Sequence, residues 1–95
     1  MEALKRTPKI EKASFDLDSE TKIDYIGISV RKIRDITNNK TLSDFDKGIN
    51  ATAAKIRVNG NTVVADDLYD GFSDSELMKI MEFISSVEGT NENPL

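Results

Sequence analysis

Residues 72–89 read Phe-Ser-Asp-Ser-Glu-Leu-Met-Lys-Ile-Met-Glu-Phe-Ile-Ser-Ser-Val-Glu-Gly, and no other stretch constrains the fold as strongly, because a helix start, an apolar stripe and a helix stop occur there together. Ser73 is placed to accept a backbone N–H of the first turn, while Glu76 can reach back to the Ser73 N–H, which makes a capping box. Phe72, just before the cap, can pack on Leu77 as a hydrophobic staple. Asp74 and Glu76 put negative charge at the positive end of the helix dipole, and Gly89 suits the left-handed conformation that ends a helix. Leu77, Ile80, Met81, Ile84 and Val87 share one helical face, which is therefore expected to be core.

Before this helix the apolar period changes several times. Residues 1–12 carry many charges, few apolar anchors and a Thr7-Pro8 pair that favours extended backbone, so they read as an arm. Ala13, Phe15 and Leu17 alternate with polar residues, as do Ile23 and Tyr25 beyond the turn residues Asp18, Ser19, Glu20 and Thr21, so residues 13–26 predict a hairpin of open register. From Ile26 the spacing becomes helical through Val30 and Ile33, with Asn38 and Asn39 ending the segment near residue 37. Ile23 fits the same series, which leaves an earlier helix start open.

Thr41 or Ser43 can cap a third segment, residues 42–56, whose stripe is Leu42, Phe45, Ile49, Ala53 and Ile56. Gly48 costs about 1 kcal/mol of helix propensity relative to Ala, which suggests close packing there or a weak helix. Val58-Asn59-Gly60-Asn61-Thr62-Val63 sets Asn-Gly between β-branched residues, a turn that can close a short hairpin or link two helices. Residues 66–71 read as a turn of helix and residues 90–95 as a tail. The expected architecture is α+β: one mostly helical domain spanning residues 1–95, with helices near 27–37, 42–56 and 73–88 and a short N-terminal β-hairpin.

Composition narrows the function classes. The chain has 95 residues, enough for a modest core that a partner or a second copy can help complete. Net charge is −4, whereas nucleic-acid and anionic-membrane binding need concentrated Lys and Arg, so neither partner is expected. Cys, His and Trp are absent, which removes thiolate metal sites, disulfides and Ser-His or Cys-His nucleophiles. No glycine-rich phosphate loop is present, and a glycosidase-like carboxylate pair would lack pocket-forming aromatics, so the chain reads as a non-enzyme without cofactors. Residues 66–71 have the outline of a calcium loop, but Leu68 and Leu77 occupy positions that need oxygen ligands. The N-terminus lacks a signal-like apolar region and no stretch approaches a membrane span, which points to the cytoplasm.

What remains is surplus apolar surface. Met78 and Phe83 flank the stripe of the last helix on opposite sides, and Leu68, Tyr69 and Phe72 crowd the approach to it. Either the domain covers that helix on two sides, or these five residues form a protein-binding surface, for which flexible Met and rigid aromatics are suited.

The run Ile56-Arg57-Val58-Asn59-Gly60, followed by residues 67–77 (Asp-Leu-Tyr-Asp-Gly-Phe-Ser-Asp-Ser-Glu-Leu) and the apolar helix to Val87, roughly the C-terminal half of the chain, resembles small tail assembly chaperones of long-tailed bacteriophages. The resemblance implies a non-enzymatic factor of the host cytoplasm. Such a factor coats the tape measure protein, helps recruit tail tube subunits and is often made in short and frameshifted long forms, of which this chain would be the short one. The alternative is an acidic phage inhibitor, anti-restriction or anti-CRISPR, that presents Asp66, Asp67, Asp70, Asp74 and Glu76 to a host nuclease. A repressor using residues 42–56 and 73–88 ranks lower, because Lys79 is the lone base of the last helix.

Overall fold

The computed structural model describes residues 12–89. The arm expected over residues 1–12, apart from Lys12, and the tail expected over 90–95 lie outside these residues. In chain order the elements are β1 (Ala13–Asp18), β2 (Thr21–Tyr25), α1 (Val30–Thr37), α2 (Asp44–Lys55), β3 (Ile56–Val58), β4 (Asn61–Thr62), α3 (Ala65–Gly71) and α4 (Asp74–Glu88). This is an α+β fold, as the patterning implies.

The N-terminal hairpin forms in the expected place. Ala13 pairs with Tyr25, Ser14 with Asp24 and Phe15 with Ile23, and an irregularity between Asp16 and Asp18 absorbs the turn. Phe15, Leu17, Ile23 and Tyr25 face inward, while on the other face the Ser14 hydroxyl donates to Asp24 Oδ1 at 2.6 Å. The second strand is real and the early helix start is not: residues 26–29 are irregular, and α1 begins only at Val30 behind the Ser29 cap.

The Asn59-Gly60 turn closes a hairpin rather than linking two helices. β3 and β4 pair across it, and β3 also pairs with β2, so the two hairpins merge into one sheet of order β1-β2-β3-β4. Asn59 (φ 51°) and Gly60 (φ 82°) both take positive φ, the conformation a two-residue turn of this hand requires. Asn59 then does more than turn: its Oδ1 accepts the Lys22 N–H at 2.8 Å and its Nδ2 donates to the Glu20 carbonyl at 3.1 Å, pinning the second turn to the first.

The core lies between this sheet and the helices. It comprises Ile23, Tyr25, Ile49, Ala53, Ile56, Leu68, Ile80 and Ile84. α4 lies on β1 and β2, and α2 packs against both α1 and α3. The capping box of α4 is formed by Ser73 and Glu76, and Gly89 caps the other end at φ 73°. Ile80 and Ile84 are buried while Leu77, Met81 and Val87 pack beside them, so the stripe faces the core as read.

Four expectations for the other helices need correction. Val30 lies outside the packed face: it occupies the first turn of α1 and is 83% exposed, leaving half-buried Ile33 and Ile36 as the inward residues of a helix that buries none fully. Phe45 has the direction of the α2 stripe but sits one turn before Ile49, beyond the edge of the core, and is 66% exposed. Gly48 marks no close approach, since a Cβ there would meet nothing within 4 Å. Asn38 does cap α1, but at φ −89° rather than in the left-handed region.

Two substitutions separate core from surface along α4. Ile84→Ala should destabilise the fold by about 2–4 kcal/mol through the cavity it opens, while Met78→Ala should cost well under about 1 kcal/mol. Denaturant melts of the two variants decide it, and equal losses would show the buried face to be wrongly assigned. Asn59→Ala should cost about 1–2 kcal/mol, since it removes both side-chain bonds and a residue tolerant of positive φ.

Candidate functional site

The five residues expected to form one surface are divided by the fold. Leu68 is 2% exposed and belongs to the core, so it cannot serve as a contact residue. Phe83 stacks on Phe15 of β1 with ring centroids 4.6 Å apart, and Phe72 packs against the core cluster, so both are largely used within the chain. Only Met78 (59%) and Tyr69 (43%) remain well exposed, and they lie on different surfaces. The charged and apolar residue types indicate a sticky surface, but only the helix positions decide which side chains the core consumes.

The first surface runs along α4. Met78, Met81, Glu82 and Ser85 line a shallow groove of about 280 Å³, mostly apolar. They stand three, four and seven residues from Met78, so they form one ridge along two helical turns, flanking the buried stripe on the side away from Phe83. Met81 leans on the core and Met78 does not, which gives the groove a fixed floor and an adaptable lip.

The second surface joins α2 to α3. The rings of Phe45 and Tyr69 lie 6.4 Å apart, and Val64, 60% exposed, stands beside a cleft that Asp46, Asp66 and Tyr69 also line. The Tyr69 hydroxyl donates to Asp46 Oδ1, and the Ser43 hydroxyl donates to Asp46 Oδ2 at 2.9 Å. These two donors, Tyr69 foremost, hold the Asp46 carboxyl below its ordinary value and fix it as a charge, while the same bond pushes the Tyr69 phenol up to about 12. The sequence marks Phe45 as a core residue of its stripe and does not mark Val64 at all. Their signal was positional: Phe45 lies in the first turn after a cap, where a stripe can overhang its core, and Val64 precedes α3.

A polar cluster closes the opposite end of α4. The Tyr25 hydroxyl donates to Glu88 Oε2 at 2.7 Å, and Lys55 Nζ lies 3.0 Å from the same oxygen, with Lys55 and Glu88 side chains 19% and 22% exposed. These three groups satisfy one another, so the arrangement reads as a clamp between β2, α2 and α4. Nothing local in the sequence marks it, since Tyr25 and Glu88 are 63 residues apart.

Residues 66–71, the stretch outlined like a calcium loop, are wound into α3, and the Asp67 carboxylate accepts the Val64 N–H at 2.8 Å. Among the described residues no cluster of three or more His, Cys, Asp or Glu is placed to hold a metal ion, and no helix is long and apolar enough to cross a membrane.

Burial, then the bond to Glu88, pushes the Tyr25 phenol from 10.0 to about 12. A group whose folded pKa is raised contributes stability that is complete below its unfolded pKa and is lost as pH climbs through the folded one. Alkaline melts should therefore show a decline between about pH 10 and 12 that Tyr25→Phe flattens. An unchanged slope would show that the clamp does not couple to folding. Tyr69 shares the direction, but water competes at its exposed ring, so the test belongs to Tyr25.

No protein-family model matches the chain, and neither curated proteins nor solved structures show significant similarity to it.

Proposed function

We propose that the protein acts without catalysis, as a stoichiometric binding partner of a long helical protein, and that it is a tail assembly chaperone of the kind its C-terminal half resembles. The observation that carries the reading is the apolar ridge of Met78, Met81, Glu82 and Ser85 on α4. A second helix packs on such a ridge by seating its own side chains between residues three and four apart. A rod-like client offers the same type of surface along its length, and the flexible Met78 can accommodate varied side chains. A tape measure protein fits this chemistry. Recruitment of tail tube subunits would follow once the client is coated.

Compared with the sequence expectation, the contact moves onto one flank of α4. Phe83 turns to β1, so it contributes by holding α4 against the sheet rather than by touching the client. The acidic-inhibitor reading draws on a different surface, the carboxylates of α3, and predicts a different captured protein.

Co-expression with a tape measure protein, followed by pull-down, is the direct test. Met78→Asp should weaken retention by at least about tenfold while leaving the melting curve of the free protein unchanged, because the cost of burying the charge falls only on the complex. Retention equal to wild type would remove α4 as the contact. Capture of a nuclease in place of any tail protein would favour the inhibitor.

A further inference from the structure

We infer that the protein associates with itself head to tail, the basic outer face of α1 in one copy docking on the acidic aromatic patch of α2 and α3 in the next. The two surfaces are complementary in charge.

α1 presents the donor side. Its eight residues include Arg31, Lys32 and Arg34 against a single Asp35, and none of them is fully buried. Ile33 and Ile36 turn inward, so helical geometry puts Arg31, Arg34 and Asp35 on the outward side, with exposed Val30 at its edge. Among the described residues Arg34 reaches only its neighbour Asp35, at 3.2 Å with both side chains 58% exposed. The face thus carries two guanidinium groups and one carboxylate, a net positive charge. Val30, 83% exposed at the helix start, adds apolar surface at the rim of that face.

α2 and α3 present the acceptor side. Phe45, Tyr69 and Val64 supply exposed apolar surface, and Asp46 and Asp66 line the cleft beside them. α3 carries three aspartates and no base. Asp46 is held ionised in a fixed position by Tyr69 and Ser43. Guanidinium groups stack on aromatic rings and pair with carboxylates, so Arg31 and Arg34 find their counterparts there.

Because the two faces differ, the contact is heterologous: each copy that docks leaves one free donor face and one free acceptor face, and growth continues unless the rotation closes a ring. The small area makes each contact weak, and the exposed charges make it sensitive to salt. The α4 ridge takes no part, so self-association and the proposed client contact succeed or fail separately.

Sedimentation velocity on the isolated full chain tests this without any client. Over a concentration series at low salt the weight-average sedimentation coefficient should rise without levelling at a dimer, and about 0.5 M salt should abolish the rise. Arg31→Glu with Arg34→Glu disables the donor face, and Phe45→Ala with Asp66→Lys disables the acceptor face. Each double variant should weaken association by at least about tenfold. Mixed together, they should form a one-to-one dimer that does not grow, since only one good pair of faces remains. Val30→Asp, at an exposed position on the rim of the α1 face, should act like the donor-face variant and guards against loss through misfolding, with unchanged thermal melts as the control. A wild-type chain that stays monomeric across the series, a variant that associates like wild type, or a mixture that stays monomeric would each overturn the inference.

Discussion

The pairing of β2 with β3 is the constraint on which the rest of the structure depends. It joins Ile23 to Val58 and Tyr25 to Ile56, segments separated by α1 and α2, and so converts two short hairpins into one sheet. A two-stranded ribbon is marginal alone, whereas four strands with an apolar face can hold helices. Beyond the ladder the Lys55 carbonyl accepts the N–H groups of both Ile26 and Gly27, at 2.7 and 3.1 Å, a junction that Gly27 reaches with φ 67°. The C-terminal end of α2 is thereby tied to the residues that follow β2. Tyr25 adds the last tie through Glu88, so β2 meets β1, β3 and α4 within five residues.

The elements that were legible in the sequence are those whose signals are local. α4 carries its cap, stripe and stop within eighteen residues, and the structure uses all three. The first hairpin follows from alternation alone. The second was ambiguous for a physical reason: β3 and β4 are three and two residues long, too short for a period to declare itself, and they exist because β2 offers an edge. That edge is specified by residues far from the Asn-Gly turn. α1 was placed too early because Ile23 and Ile26 fit a helical series that strand pairing and the Ser29 cap override.

The site was less legible than the fold. Residue type marked Tyr69 and Met78 as surplus, yet gave Leu68 and Phe83 the same status, because an apolar residue declares that it will be covered and not by what. Leu68 is covered by the core and Phe83 by Phe15, and both outcomes depend on how α3 and α4 settle on the sheet. The converse failure is Phe45: it has the right helical phase for burial, but the core ends one turn short of it. Exposure of large apolar groups thus gathers where helices overhang a sheet too small to cover them. For a core of eight buried apolar residues that overhang is a geometric consequence of size, and it gives the chain room for partners.

Asn59 has a consequence of another kind, in the chemical lifetime of the chain. An asparagine followed by glycine is open to attack by the next backbone nitrogen on its side-chain amide carbon, which closes a succinimide ring and expels ammonia. That attack needs the amide to swing toward Gly60. In the folded protein Asn59 Oδ1 is held by the Lys22 N–H and Nδ2 by the Glu20 carbonyl, so the carbon is turned to the neighbouring hairpin instead. Deamidation therefore proceeds through openings of the β2–β3 junction, and its rate in aged samples records how often the two hairpins part.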